Sequence, residues 1–446
     1  MDRRDFLKKS GTLAAAAAVT ACAPNEGAPA AGSAPAGTDE KGPMLQNYPG
    51  VGVLGYGCMR WPMTKDGDGN DVIDQEKVNA LVDEALAHGV NYFDTSPVYL
   101  RGDSERASAE ALNRHPRESW LLATKLSNFA NSTYENSVKM YRRSLEIFKT
   151  DHIDYYLLHA IGSAEDFNRR FGDTGIMDFL LKERELGHIR NLGFSIHSHK
   201  EGFDSMMELH PKYHWDFVQI QMNYLDWTHA GGRNTNADHM YAELAARDIP
   251  VVIMEPLRGG GLASLTKSQT ARLKAIEPDR SVASWAFRFV GSFPKVLTAL
   301  SGMTYKEHLE DNLKTFCGFK PLNEDEFKLL EEIAEEQSRF PLVGCTGCQY
   351  CMPCPYGINI PGVFRFYDSS VIDGTYVKGP QQERYRKARR RYLAEYDKAV
   401  ESVRQADHCI SCGKCTKACP QHIRIPAELR RIDKYIEEIK QEKFEI

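Results

Sequence analysis

No apolar run in these 446 residues reaches the roughly 20 residues that a membrane-spanning helix needs. No charge of one sign dominates either: 56 Lys and Arg stand against 61 Asp and Glu, a net of −5. That balance gives no reason to expect nucleic acid as the main partner. Glycine (34) and proline (21) are too few for a collagen-like or low-complexity chain. A Gly-rich dinucleotide turn is also missing, because the stretch GYGCMR at 55–60 does not supply the G-x-G-x-x-G pattern. What remains is an ordinary globular composition, 42% hydrophobic and 26% charged, long enough for two or three domains. The unusual feature is 11 cysteines, eight of them in the last quarter of the chain.

The first residues read as an address. Arg3 and Arg4, followed by Phe6, Leu7 and Lys8, resemble a twin-arginine export signal, and a short, weakly apolar stretch follows from Leu13 to Ala21. Val19-Thr20-Ala21-Cys22 resembles a bacterial lipobox, which makes Cys22 the candidate lipidation site. The next segment is rich in Ala, Pro, Gly and Ser and reads as a flexible tether. The resemblance implies export to the cell envelope or periplasm, with a lipid anchor to a membrane.

From Val51 onward, short β-branched or aromatic runs alternate with amphipathic segments. The runs are 51–57, 90–95, 120–125, 152–159, 188–195, 216–223, 249–255 and 295–302. Near-continuous apolar strands between helices indicate a parallel sheet covered on its faces. Eight such units predict an α/β fold, a (β/α)8 TIM barrel, with a doubly wound open sheet as the alternative. Catalytic side chains of such a barrel project from the C-terminal ends of the strands. Those ends carry Asp94, Lys125, His159, Ser195, Asn223 and Glu255, with Tyr99 just after the second strand in FDTSPVY.

From Gly52 to Phe316 the sequence resembles the aldo/keto reductase superfamily, on the segments GYGCMR, FDTSPVY, ATK, LLH, LGFS and SGMTYKEHLEDNLKTF. The resemblance implies Tyr99 as proton donor to a substrate carbonyl, Lys125 as the lysine beside it, Asp94 as that lysine's partner and His159 as the residue that orients the carbonyl. A tyrosine is a sluggish acid at neutral pH, with a pKa near ~10, and a neighbouring ammonium is expected to lower it. The resemblance also places Ser195 and Gln219 at a nicotinamide carboxamide, Leu257 and Gly302 along the dinucleotide path, and Asp311 and Asn312 near the adenine. The chain departs from the NADP-dependent pattern at Gly302-Met303, His308 and Ile196. NADP, NAD and neither therefore stay open. The implied substrate is a small carbonyl compound or alcohol.

The late cysteines fall into two runs. CTGCQYCMPCP holds Cys345, Cys348, Cys351 and Cys354, and CISCGKCTKACP holds Cys409, Cys412, Cys415 and Cys419. The second has the bacterial ferredoxin spacing, C-x2-C-x2-C-x3-C-P, and the first differs by one residue before its fourth cysteine. The fourth ligand of each run commonly serves the other cluster. One 4Fe–4S cluster is thus expected on Cys345, Cys348, Cys351 and Cys419, and a second on Cys409, Cys412, Cys415 and Cys354. Zinc and disulfides are the competing readings, and clusters acting only as structural staples are a third. Cys58 and Cys317 read as core thiols. The basic run at 384–391, RYRKARRR, reads as a solvated helix face or as a docking site for an acidic redox partner.

The whole resembles bacterial aldo/keto reductases fused to a ferredoxin-like region. The expected division is a leader at 1–22, a linker at 23–44, the barrel at 45–338 and a mostly helical iron–sulfur domain at 339–446. Hydride transfer moves two electrons together, whereas an iron–sulfur centre moves one, and no flavin motif bridges them. Two functions follow. One is an aldo/keto reductase-type oxidoreductase coupled to or stabilised by its clusters. The other is an envelope electron-transfer protein whose barrel no longer uses a nicotinamide cofactor.

Overall fold

The computed structural model describes residues 42–231 and 234–442. The export signal, Cys22 and most of the linker lie outside the described residues. Among those described, no helix is long and apolar enough to cross a membrane.

Eight parallel strands close into a barrel: β1 Leu54–Gly57, β2 Tyr92–Asp94, β3 Leu121–Leu126, β4 Ile153–Ile161, β5 Ile189–Ile196, β6 Phe217–Gln221, β7 Val251–Met254 and β8 Val296–Ser301. Each pairs with its sequence neighbour, and β1 closes the ring against β8 through Leu54 with Ala299 and Tyr56 with Ser301. All eight expected strands form, with ends shifted by one to three residues. Beyond the expectation is an antiparallel hairpin, Met63–Lys65 with Asp71–Ile73, whose turn is tied by Asp66 accepting from the backbone N–H groups of Asp68 and Asn70.

Side chains alternate across each strand, and this divides the barrel's apolar residues into two cores. Tyr92, Ala123, Leu157, Phe217, Val252 and Leu297 share the small inner core, the lumen. Their neighbours Phe93, Leu122, Leu158, Val218, Ile253 and Val296 belong to the large core between strands and helices. The helices are begun by local signals. Thr133 caps Tyr134–Phe148 by accepting from the Asn136 N–H, and Asn323 forms a capping box with Glu326 at the start of Glu324–Ser338.

The C-terminal region has its own core, built by the helices Ile360–Ile372, Tyr385–Ala399 and Ile425–Gln441. In the last of these Ile425, Leu429, Ile432, Ile436 and Ile439 recur at three- and four-residue steps and are buried on one face. The basic run is partly structural. Arg389 donates to the carbonyls of Ile439 and Lys440, both at 2.6 Å, and so caps the C-terminal end of that helix.

Candidate active site

The alternation that fills the lumen also builds the site. Two residues beyond the lumen positions Tyr92, Ala123, Leu157 and Phe217 stand Asp94, Lys125, His159 and Gln219, all buried. Tyr99 enters from a short turn, Tyr99–Gly102, in which Leu100 and Arg101 hold left-handed φ values of 50° and 60°. Such backbone costs roughly 1–2 kcal/mol per non-glycine residue, so the surrounding packing holds the turn.

Lys125 Nζ donates to Asp94 Oδ1 at 2.6 Å and to the Thr95 carbonyl at 2.8 Å. Burial raises the Asp94 carboxyl and lowers the Lys125 ammonium, and each partner's charge opposes that drift. The net shift of the tyrosine is nonetheless upward, with burial as its largest cause. Lys125 Nζ lies over the face of the Tyr99 ring, 4.8 Å from its centroid, with two of its three donors engaged elsewhere. Burial, reinforced by Tyr350 and Asp94, pushes the Tyr99 hydroxyl well above its ordinary range. Tyr99 is therefore a phenol that keeps its proton until a stronger base develops beside it.

His159 lies edge-on to Tyr99, with ring centroids 5.8 Å apart. Burial, aided by Lys125, Arg170 and His197, keeps its imidazole neutral. Its Nδ1 is 2.6 Å from Ser127 Oγ, which lies 2.8 Å from Ser96 Oγ. Phe129, half exposed, packs on the His159 ring at 5.1 Å. Ser96, Ser127 and Phe129 carry no sequence signal beyond their nearness to strand ends.

Of the expected nicotinamide contacts, Ser195 and Gln219 are register partners on β5 and β6. Ser195 Oγ accepts the Ala160 N–H at 2.8 Å, and Gln219 Oε1 is buried without a partner. Leu257 packs against the large core, and Gly302 faces Arg60. Asp311 is turned to the neighbouring helix Val282–Gly291, where it accepts from the helix-capping Ser281 Oγ at 2.6 Å. Asn312 donates to Ser301 Oγ at 2.9 Å. Asn223 braces the loops by donating to Asp226 and to the Glu255 carbonyl.

No disulfide joins any of the ten described cysteines. Cys58 and Cys317 are buried in the core. Cys345, Cys348, Cys351 and Cys419 line one cavity together with Thr346, Ile360, Phe364 and Gln421. The cavity is partly open to solvent. Burial pushes the Cys345 thiol up to about 11 and those of Cys348 and Cys351 to about 12, so a bound metal centre must displace their protons. Cys409, Cys412 and Cys415 lie near one another in the second run. Among the described residues, no three of His, Cys, Asp and Glu are grouped closely enough to hold a single metal ion. A tetrahedral zinc site would bring its sulfurs within roughly 4 Å of each other.

The cysteine loop Gly344–Tyr350 sits on the C-terminal mouth of the barrel. The Tyr350 side chain stands beside that of Tyr99, close enough for each phenol to perturb the other. Arg60 Nη2 donates to the Thr346 carbonyl at 2.5 Å, and a Cβ on Gly259 would lie only 2.1 Å from the same oxygen. Beyond Cys419, Gln421 and the barrel's Gln221 exchange amide hydrogen bonds of 2.8 and 3.2 Å, both side chains buried.

Residues 53–335 match the model of the aldo/keto reductase family, well over half of the chain. The chain is a member of the aldo/keto reductase family. Residues 344–424 match a 4Fe–4S dicluster domain, so this aldo/keto reductase is an oxidoreductase with an iron–sulfur domain behind its barrel. Over 304 residues it is 24% identical to an uncharacterized oxidoreductase of Bacillus subtilis, YqkF, covering 63% of this chain and 92% of the relative. An aldo-keto reductase from Bacillus halodurans in its holo form superposes with a TM-score of 0.51 at 21% identity, over 64% of this chain and 92% of that one. A Klebsiella pneumoniae aldo/keto reductase in complex with NADP and acetate gives 0.51 at 19% identity, over 64% and 92%. These likenesses establish the barrel's fold.

Proposed function

We propose that this aldo/keto reductase interconverts a small carbonyl compound and its alcohol at Tyr99, and that two 4Fe–4S clusters in its C-terminal domain carry the electrons. The observation that carries the reading is the proximity of Tyr99 and Tyr350, which sets the proton donor against the loop that holds Cys345 and Cys348, two cysteines of one cavity. Reducing a carbonyl to its alcohol takes up two electrons and two protons, with one new bond to hydrogen at carbon and one at oxygen. Tyr99 would supply the proton that ends on oxygen and solvent water the one that ends on carbon, with the two electrons drawn singly from the clusters. The raised pKa of Tyr99 suits that role, because the phenol yields its proton only as charge develops on the carbonyl oxygen. Lys125, held by Asp94, keeps a positive charge over the ring and steadies the phenolate that forms.

His159 holds the carbonyl oxygen. The backbone N–H of Val98 donates to Ser96 Oγ. If each hydroxyl passes its proton onward, Ser96 donates to Ser127 and Ser127 to His159 Nδ1. That chain leaves the His159 proton on Nε2, the tautomer that donates to an oxyanion.

Cys345, Cys348, Cys351 and Cys419 would hold one cluster, and Cys409, Cys412, Cys415 and Cys354 the other. Bound, each would supply or accept one electron at a time. Electrons would come from a one-electron redox protein docking at the second cysteine run. Export by the twin-arginine route and a lipid anchor at Cys22 complete the proposal and place the reaction at the cell envelope.

The test is Tyr99→Phe in protein purified anaerobically. Carbonyl reduction should fall by at least about 100-fold, a typical loss for a missing general acid, while iron and sulfide content stay unchanged. Full turnover in this variant would refute the assignment. Protein with redox-active clusters but no carbonyl reduction at all would favour an electron-transfer protein in which the barrel is only a scaffold.

A further inference from the structure

We propose that the loop Gly344–Tyr350 takes the place of a nicotinamide dinucleotide on this barrel, so that the holoprotein binds neither NAD nor NADP. The proposal deepens the reading of Tyr99 as a proton donor served by the iron–sulfur domain, and it rests on that reading.

The dinucleotide path implied by the family resemblance runs from Ser195 and Gln219, past Leu257, to Asp311 and Asn312. Protein atoms occupy it or tie up its contacts along most of its length. Thr346, only 2% exposed, lies on the backbone of Gly259, two residues after Leu257. A Cβ at Gly259 would approach the Thr346 carbonyl carbon and Cα to 2.6 Å. Two pieces of main chain are thus in contact where a pyrophosphate would have to pass. On the opposite side Arg60 reaches across to the Thr346 carbonyl, and its side chain fills the space beside Gly302, where a Cβ would lie 2.7 Å from Arg60 Cδ. At the far end Asp311 is engaged by Ser281 and Asn312 by Ser301. At the near end Tyr350 stands beside Tyr99. Gln219 Oε1 remains buried and unpartnered. It is an acceptor for a small ligand, but one group cannot hold a dinucleotide.

The loop is also built to stay. Gly344 and Gly347 hold φ values of 72° and 66°, which other residues adopt only with strain. The Val343 and Gly344 N–H groups donate to Asp368 at 2.7 and 3.0 Å. The residues that cover the barrel, Thr346 to Tyr350, stand between cavity-lining cysteines: Cys345 before them, Cys348 among them and Cys351 after. With those thiols ligated, the segment cannot swing away without moving the centre they hold. Gln421, on the other wall of the same cavity, is fixed to Gln221. A lid that opens for a dinucleotide would be anchored at one end. This loop is anchored along its length.

The test uses the full-length holoprotein, purified anaerobically and assayed for iron and sulfide. NADH and NADPH are titrated calorimetrically to about 1 mM, the upper end of ordinary cofactor and substrate affinities. Hydrogen exchange is followed in peptides covering 257–263 and 344–350. The expected result is no saturable binding and unchanged exchange in both peptides. Stoichiometric binding, or faster exchange of 344–350 on adding NADPH, overturns the proposal, because either means that the loop yields its place. Protein that lacks iron although folded overturns the cluster reading instead, so the two failures are distinguishable.

Discussion

The two cysteine groups share a spacing but not an environment. The inner group, Cys345, Cys348, Cys351 and Cys419, lines a cavity whose Thr346 and Gln421 also touch Arg60 and Gln221 of the barrel. The outer group looks away from the barrel. Cys412 is exposed, Ile410 is 59% exposed beside it, and Val403 and Tyr356 show 68% and 46% of their surface nearby in the chain. Charge is divided as well. Residues 339–446 carry 19 Lys and Arg against 13 Asp and Glu, whereas residues 1–338 carry 37 against 48. One motif used twice has thus been fitted to two neighbours, a catalytic mouth on one side and solvent on the other. On the proposed reading that asymmetry would give electrons a direction, from an outer group exposed at the surface to an inner group beside the barrel mouth.

The strongest way to break this comparison is to remove one ligand from each group. Cys348→Ser should lower the iron content from about eight to about four atoms per chain and abolish carbonyl turnover. Cys412→Ser should cost the same iron and abolish reduction by a protein donor, yet retain turnover with a small strong reductant. Iron analysis and two assays with different donors check this. Identical behaviour of the two variants would mean that the groups are not arranged in that order.

The next effect belongs to the seam between the domains. Burial, with His422 of the C-terminal domain adding, lowers the barrel's His197 to about 4. The unfolded chain takes up a proton at this residue near pH ~6.5 that the folded chain refuses. Stability is therefore complete above that pH and declines as the pH falls towards about 4. The decline attributable to His197 is at most about 3 kcal/mol by the linkage arithmetic. Urea unfolding at a series of pH values should show it, and His197→Gln should flatten that part of the curve. An unchanged slope would remove the histidine from the seam's energetics.

Gln421→Ala probes the same seam without charge. It leaves the Gln221 carbonyl buried without its partner, at an expected cost of about 1–3 kcal/mol. Thermal unfolding should register the loss. A barrel and an iron–sulfur domain that merely adjoin would not.

Much of this is legible in the sequence. The period-2 alternation that puts Tyr92 and Asp94, or Ala123 and Lys125, on one face follows from strand geometry alone, and cysteine spacing is local by nature. Contacts between distant segments are not. Nothing near Tyr99 announces Tyr350, 251 positions away, and nothing near Gly259 announces Thr346. The Gly259-Gly260-Gly261 run is the available hint, since glycine often marks a close approach of backbones. The net rise of Tyr99 is not legible because it comes first from burial, which no local motif states.

The smallest effect concerns the outer group's partner. Lys414 and Lys417 are exposed in the short helix Lys414–Lys417, on either side of Cys415. Surface charges of this kind act on encounter more than on final affinity. Reversing both, as Lys414→Glu with Lys417→Glu, should slow association with an acidic one-electron protein about tenfold at low salt and flatten the salt dependence of the rate. Reduction of the clusters by a small neutral reagent should be unchanged, which separates docking from damage to the cluster itself. If a protein donor instead reached the inner group directly, the double variant would leave its rate untouched.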